Sequence, residues 1–396
     1  MKKTWPLPLH KVYKALVYGA ICLFAYGLVR YSRETSESVC QGLDLCARVL
    51  IPSLFPFFVV SSLAVSTGLA GVIGRAMERP MRALFRVPGA CAPAFALGLV
   101  GGYPVGAKTA IALYQQKLCT KTEAERLLSF CNNSGPAFIL GIAGASVFAS
   151  AKAGILLYVC HVLASILVGL VFRFYGRREP GGAAGGRMAA ESRPFGPALA
   201  DSVRQSGASI VNICAFVVFF TVAIRLLNVM GVLPAASSLL GALLSPLGLD
   251  PAYAERIISG ILELTTGIWS LTGAGGPLSA RLAVAAFMLG WAGLSVHCQV
   301  LSFLSDSGLS VAPYVGGKML HGLFSAALTW CAACLVPFEV TTSAGLSAHI
   351  ATLNSLRFGP ALLCSLAACL AVWCAFWLLS RLLSVKKHCK RRRKTI

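Results

Sequence analysis

The chain is poor in charge, and above all in negative charge. Asp and Glu together account for 14 of its 396 residues, and all charged residues for 12%, whereas 57% of the residues are hydrophobic. A soluble domain carries about 25% charged residues. Such a chain has too little polar surface for a water-soluble globule, so we expect a polytopic membrane protein.

Catalytic and metal-binding motifs are also missing. The sequence has no H-E-x-x-H, no G-x-S-x-G and no Asp-rich pair for prenyl diphosphates. Most of its fifteen cysteines lie singly in apolar runs, and the one C-x-x-C, Cys331 and Cys334, lacks a second pair. We therefore predict no enzyme activity, no metal site and no cofactor, apart from a coupling H⁺ or Na⁺, which the sequence leaves open.

Apolar runs long enough to cross a bilayer are abundant. The predicted spans are 12–30, 48–72, 127–149, 153–173, 208–230, 280–303, 311–336 and 359–381. Two more apolar stretches, 92–114 and 254–275, are interrupted by Gly, Pro or Thr. Each arm of about ten residues spans roughly 15 Å, half of a ~30 Å hydrocarbon core. We expect these two to be re-entrant helical hairpins whose tips reach the midplane.

The distribution of Lys and Arg orients the chain. With the hairpins entering and leaving on one side, 25 of the 35 Lys and Arg residues fall on one face, seven fall on the other, and Lys108, Arg225 and Lys318 lie at membrane depth. The positive-inside rule makes the rich face, with both termini, cytoplasmic. The basic tail KKHCKRRRK then suits anionic lipid headgroups, and we predict no nucleic-acid partner.

The two halves of the chain repeat one order of elements. Gly98 corresponds to Gly260, NNSGP (132–136) to WAGLS (291–295), and His161 to His321. The first half starts with an inward span and the second with an outward one, so the repeats are inverted, as is typical of secondary transporters with a site near mid-membrane. The predicted parts are an N-terminal span and connector (1–47), a first gate repeat (48–175), a cytoplasmic linker (176–205), a second gate repeat (206–336), and a C-terminal span with the basic tail (337–396).

The first half offers a site of glycines, amides and one lysine. GLVGGYPVGAKTA (98–110) resembles a P-loop with its lysine one position late, but no strand precedes it. Its breaks leave backbone N–H groups free at a helix start, which suits an anion. Lys108 either contacts that anion or neutralises a neighbouring acid or reaches an interface. The substrate-binding candidates here are Gly102, Tyr103, Pro104, Gly106, Lys108, Asn132, Asn133 and Ser134.

The second half repeats the design with other chemistry. LELTTG (262–267) and GLSVHCQ (293–299) supply the candidates Glu263, Thr265, Thr266, Ser295, His297 and Gln299. A spacing of two is not one helical face, so Ser295, His297 and Gln299 line a site together only where the backbone is extended. Glu263 is an acid at membrane depth, and the sequence leaves open whether it binds H⁺ or Na⁺ or pairs with Lys108 or Lys318.

GGYPVGAKTA and CNNSGPAFI, followed by LELTTGI and GLSVHCQ, resemble the YlbJ-type sporulation integral membrane proteins, within the wider group that carries nucleoside-recognition gate domains. The resemblance covers roughly residues 45–335. It implies a fold like that of concentrative nucleoside transporters and export of dipicolinate, a small-molecule anion, across the outer forespore membrane during sporulation. A nucleoside or other small-solute transporter of the same fold, or a non-transporting spore-envelope assembly factor, are the alternatives. Homo-oligomerisation is also left open.

Overall fold

The computed structural model describes residues 7–176, 193–245 and 252–335, so the predicted span 359–381 and the basic tail lie outside it. The described residues are helical throughout and contain no strand. The helices are α1 (Leu7–Arg30), α2 (Ser32–Leu45), α3 (Ile51–Ser66), α4 (Leu69–Phe85), α5 (Ala92–Gly101), α6 (Val105–Gln115), α7 (Lys121–Cys131), α8 (Ala151–Phe172), α9 (Phe195–Val229), α10 (Val232–Leu244), α11 (Ala252–Leu262), α12 (Leu264–Trp269), α13 (Leu278–Trp291), α14 (Gly293–Leu304) and α15 (Val311–Leu335). Two π-helical segments, Cys46–Leu50 and Ala137–Val147, and a 3₁₀ turn, Gly89–Cys91, complete them.

The all-helical membrane class is confirmed. Within the described ranges, four helices are long and apolar enough to cross a membrane: Ala151–Phe172, Phe195–Val229, Leu278–Leu304 and Val311–Leu335. Two helix pairs bent by 96° and 92° would raise the number to six if each pair is one span. The number of about eight spans therefore stays a prediction. α9 begins at Phe195, inside the segment 176–205 that was predicted as linker.

The first predicted hairpin consists of α5 and α6. Gly102, with φ of 78°, carries the turn between them in a conformation that favours glycine. Further along the arms, a Cβ at either Gly98 or Gly106 would collide with the carbonyl oxygen of Cys131. The two arms therefore pack against the carboxyl end of α7 through direct backbone contacts, which explains why glycine is needed at both positions.

The second predicted hairpin consists of α11 and α12, of which the second arm is only six residues long. Its arms also meet at glycines, because a Cβ at Gly267 would collide with the backbone of Gly260. The long helix that follows is interrupted at Ala292 and Gly293, with φ of 81° and 80°. This break divides the apolar run 278–304 into α13 and α14.

The last helix of the described residues, α15, joins the two halves. It packs against α13 of the second half and against α7 and α8 of the first. Close approach depends on small residues: a Cβ at Gly290 would lie 2.6 Å from the Cα of Gly322, and Gly317 abuts Ser129. Small residues of this kind allow helix backbones to pack tightly within a membrane.

Candidate functional site

Each hairpin turn contacts the helix break that comes next in the same half of the chain. In the first half, a Cβ at Gly102 would lie 3.0 Å from the backbone nitrogen of Gly135. In the second half, a Cβ at Gly293 would lie 2.8 Å from the backbone nitrogen of Leu264. Turns and breaks are the places where helical backbone hydrogen bonds end, so both contacts gather polar backbone in the interior.

A cavity of about 190 Å³ lies where these turns and breaks meet. Its polar side chains come from both halves: Tyr103, Ser134, Glu263, Thr265, Ser295 and Gln299. Glycine backbone and apolar side chains complete the wall, among them Leu50, Leu54, Val100, Gly101, Gly102, Gly135, Phe138, Ile142, Ile213, Val217, Leu264 and Val296. An apolar wall with a few convergent polar groups is the usual composition of a small-molecule site.

Half of the fourteen candidate residues line this cavity. They are Gly102, Tyr103, Ser134, Glu263, Thr265, Ser295 and Gln299. The other seven, Pro104, Gly106, Lys108, Asn132, Asn133, Thr266 and His297, are absent from its wall. The backbone from Gly293 to Leu304 is helical. Ser295 and Gln299 both face the cavity because residues four apart share a helical face.

Glu263 lies in the turn of the second hairpin and caps α12. Its carboxylate accepts hydrogen bonds from the backbone N–H of Thr265 at 3.0 Å and of Thr266 at 2.7 Å. The side chain is 3% exposed, and none of the ion pairs of the described residues joins it to Lys108 or Lys318. Helix-terminal N–H donors and the positive end of the helix stabilise its negative charge.

Asn132 and Asn133 brace the break after α7. The Asn132 side chain accepts from the backbone N–H of Ala107 and donates to the Tyr314 hydroxyl, both at 3.4 Å. The Asn133 amide donates to the carbonyl of Phe130 at 3.0 Å, while its oxygen is buried without a described partner. These amides thus tie the first hairpin, the break and α15 together beside the cavity.

Lys108 is not part of the cavity wall. Its ammonium donates to the Ser209 hydroxyl of α9 at 2.7 Å and lies 5.1 Å from the ring centroid of Phe58 in α3. Both contacts are with helices that also contribute Leu54, Ile213 and Val217 to the cavity wall. The position of Lys108 at membrane depth and its role as an anion ligand both stay predictions.

Lys318, and not Lys108, contacts a polar residue of the cavity wall. It is 1% exposed, and its ammonium donates to the Tyr103 hydroxyl at 2.9 Å, to the Asn132 carbonyl at 2.9 Å and to His321 Nδ1 at 3.2 Å. The Tyr103 ring centroid is 4.6 Å away. A lysine inside an apolar span was the available signal, but two of its three acceptors, Tyr103 and Asn132, lie 215 and 186 residues away in the sequence.

The two corresponding histidines meet. His321 Nε2 donates to the backbone carbonyl of His161 at 2.9 Å, and the ring centroids are 4.3 Å apart. His161 Nε2 in turn accepts from the backbone N–H of Ser134 at 3.0 Å. The pair connects the break that carries Ser134 to the Lys318 cluster.

His297 lies behind the cavity wall. Its ring packs between Trp291, at a centroid distance of 4.2 Å, and Tyr314, at 5.3 Å. Neither of its ring nitrogens has a hydrogen-bond partner among the described protein groups, and the same holds for the Ser295 hydroxyl. Of these two residues, only Ser295 lines the cavity.

Comparison with known proteins places this site in a family. Residues 47–178, which include the first hairpin and the first break, match the model of the nucleoside recognition "Gate" family. The chain is 31% identical over 335 residues to the sporulation integral membrane protein YlbJ of Bacillus subtilis (strain 168), covering 80% of this chain and 82% of that protein. This chain belongs to the YlbJ family. As a family member it is a multi-pass integral membrane protein, and no solved structure matches it significantly.

Proposed function

We propose that this YlbJ family member transports a small solute through the cavity between its two hairpins. The observation that carries the proposal is the meeting of two hairpin turns and two helix breaks around one cavity lined by polar groups. Irregular backbone at membrane depth is tolerated where it lines a cavity or is buried in protein. Interrupted helices in corresponding positions of two halves mark the binding site of secondary transporters.

The pairing of contacts supports an inverted repeat. Gly98 and Gly106 cross in the first hairpin as Gly260 and Gly267 do in the second. The corresponding residues His161 and His321 touch, as residues beside a two-fold axis would. We infer that the chain is built from two inverted gate repeats, with the cavity at their interface.

We further propose that the solute is dipicolinate and that it crosses the outer forespore membrane. The relationship to a sporulation membrane protein supports the setting. The cavity volume of about 190 Å³ lies below the roughly 300–1,000 Å³ of pockets that take drug-sized ligands. A single aromatic ring with two carboxyl groups suits that size, with Ser134, Ser295 and Gln299 as hydrogen-bonding partners.

Spore dipicolinate content tests this function. A strain lacking the protein should form spores depleted in dipicolinate, and the wild-type gene should restore the content. A Ser295→Ala, Gln299→Ala double variant should restore it incompletely, while Ser237→Ala, outside the cavity wall, should restore it fully. Normal dipicolinate in the null spores would remove the substrate assignment.

A nucleoside is the second candidate, and one observation favours it. Among the described residues, the cavity wall contains the carboxylate of Glu263 but no Lys or Arg. The description of the matched family model as nucleoside recognition agrees with this. Competition decides between them: uridine should leave dipicolinate binding to the purified protein unchanged if dipicolinate is the solute. Binding of uridine alone would favour the nucleoside, and binding of neither would favour a non-transporting role in spore-envelope assembly.

A further inference from the structure

Two buried charges flank the cavity, and each half of the chain contributes a turn residue to them. Tyr103, in the turn of the first hairpin, lines the cavity and accepts a hydrogen bond from Lys318. Glu263, in the turn of the second hairpin, lines the cavity itself. The inference below rests on the proposed function, since it concerns which solutes that cavity accepts.

With a neutral His321 ring, the hydrogen bonds around Lys318 fit its charged form. The Tyr103 hydroxyl spends its hydrogen on the carbonyl of Leu289, at 2.6 Å, so it accepts from Lys318. The Asn132 carbonyl can only accept, and His321 Nδ1 accepts because Nε2 donates to the His161 carbonyl. Three acceptors need three N–H donors, which an ammonium has and a neutral amine lacks.

No described carboxylate balances this ammonium. Its three acceptors are neutral, and Lys318 takes part in none of the ion pairs in the described ranges. A buried charge without a counterion is costly, and membrane proteins retain such charges for function. Tyr103 contacts this ammonium and lines the cavity, but its hydroxyl has no hydrogen left for a solute, so the ammonium acts on the cavity through its electric field.

Glu263 differs from Lys318 in that it lines the cavity itself. Both of its oxygens accept backbone N–H groups of α12, and hydrogen bonds of this kind suit an ionised carboxylate. A carboxylate has acceptor capacity left after two hydrogen bonds. A solute group next to it must therefore donate a hydrogen bond, and a second anionic group at that place would be repelled.

We propose that the site selects a solute with one anionic group, placed toward Tyr103 and Lys318, and one hydrogen-bond donor, placed toward Glu263. For dipicolinate this means the singly charged form, with one carboxylate and one carboxylic acid, in preference to the dianion. Lys318, acting through its electric field, is the residue that gives the site its preference for an anion, whereas Lys108 is not.

Three pyridine probes separate these contributions, measured as equilibrium binding to the purified full-length protein at pH 7. Dipicolinate carries two carboxylates, 6-carbamoylpyridine-2-carboxylate carries one carboxylate and one donor, and pyridine-2,6-dicarboxamide carries two donors and no charge. Wild type should bind the monoamide at least about tenfold more tightly than dipicolinate, because unit charges in such sites change affinity by roughly 10–100-fold at an effective dielectric near 20.

Matched variants assign the two ends. Lys318→Met should weaken monoamide binding roughly 10–100-fold and leave dicarboxamide binding unchanged. Glu263→Gln, whose amide can donate, should reverse the preference so that dipicolinate binds at least as tightly as the monoamide. Lys152→Met, at an exposed lysine near the start of α8 and outside the cavity wall, is the control that keeps the wild-type order. Where Lys318→Met does not yield folded protein, as judged by monodisperse elution and a cooperative thermal unfolding transition, Lys318→Gln takes its place.

The outcomes are distinguishable. A wild type that binds none of the three probes overturns the proposed dipicolinate function. A wild type that binds dipicolinate more tightly than the monoamide overturns the inference alone. The inference also falls if Lys318→Met weakens all three probes equally, since that loss would reflect a distorted cavity and not a missing charge.

Discussion

Substitution of Gly106 by alanine tests the packing on which the site depends. A Cβ at Gly106 would collide with the carbonyl oxygen of Cys131, and the Cα of Gly98 lies 3.1 Å from the same position. Both obstacles are backbone atoms, which cannot move aside as a flexible side chain can. The arms of the first hairpin must therefore separate or move away from α7.

The size of the effect follows from two opposing terms. Alanine in a helix is favoured over glycine by about 0.5–1 kcal/mol. Overpacking of a tightly packed interior costs typically about 1–3 kcal/mol, and the upper end applies here because the collision is with backbone. We expect a net loss of about 2 kcal/mol, which would lower the Tm by a few degrees, since 1 kcal/mol shifts Tm by roughly 2–4 °C in domains of 150–250 residues.

Gly207 supplies the matched control. It also lies inside a helix, α9, but a Cβ there would meet nothing within 4 Å. Thermal unfolding of the purified variants in detergent should show a lower Tm for Gly106→Ala and an equal or higher Tm for Gly207→Ala. Equal melting temperatures for both variants would refute the close packing of hairpin and break.

Three further predictions concern single side chains. Glu263→Ala should cost about 0.5–2 kcal/mol of stability through the lost cap of α12, as measured by the Tm, and Glu263→Gln should restore part of it. Tyr103→Phe leaves the buried Leu289 carbonyl without its donor, which should cost about 1–3 kcal/mol; an unchanged Tm would show that the two halves do not meet there. Lys108→Gln should lower the free energy of unfolding by less than about 1 kcal/mol, because a partly exposed hydrogen bond contributes about that much, and the Tm should therefore change little. The same variant should leave solute binding intact.

Local sequence patterns predicted where the helices of the two hairpins break, while re-entry of the hairpins from one side of the membrane stays a prediction. Gly, Pro and Thr clusters inside apolar runs mark places where a helix cannot continue, and the observed turns at Gly102 and Glu263 lie at those clusters. The predicted glycine correspondence also rests on local pattern. Gly98 and Gly260 both lie where a hairpin arm touches another backbone.

The assignment of the membrane-depth lysines could not be made from sequence. Lys108 is part of a conspicuous motif, yet its side chain packs against Ser209 and Phe58. Lys318 has no distinctive neighbours in sequence, and its acceptors Tyr103 and Asn132 are 215 and 186 residues away. Which of the two lysines contacts a residue of the cavity wall is decided by tertiary packing, which local pattern does not contain.

The roles of the two asparagines differ from the expected solute contacts for the same reason. CNNSGP predicted a break correctly, and Ser134 lines the cavity. Asn132 and Asn133 instead satisfy polar backbone and side-chain groups around that break. Buried backbone groups freed by a break need partners, and the neighbouring amides supply them.

Exchange of labelled dipicolinate across a membrane tests the central claim most directly. Proteoliposomes that contain the full-length protein and are loaded with unlabelled dipicolinate should accumulate external labelled dipicolinate, faster than protein-free liposomes. The Ser295→Ala, Gln299→Ala variant should exchange more slowly than Ser237→Ala at equal protein content. Uptake no faster than in protein-free liposomes would contradict the account.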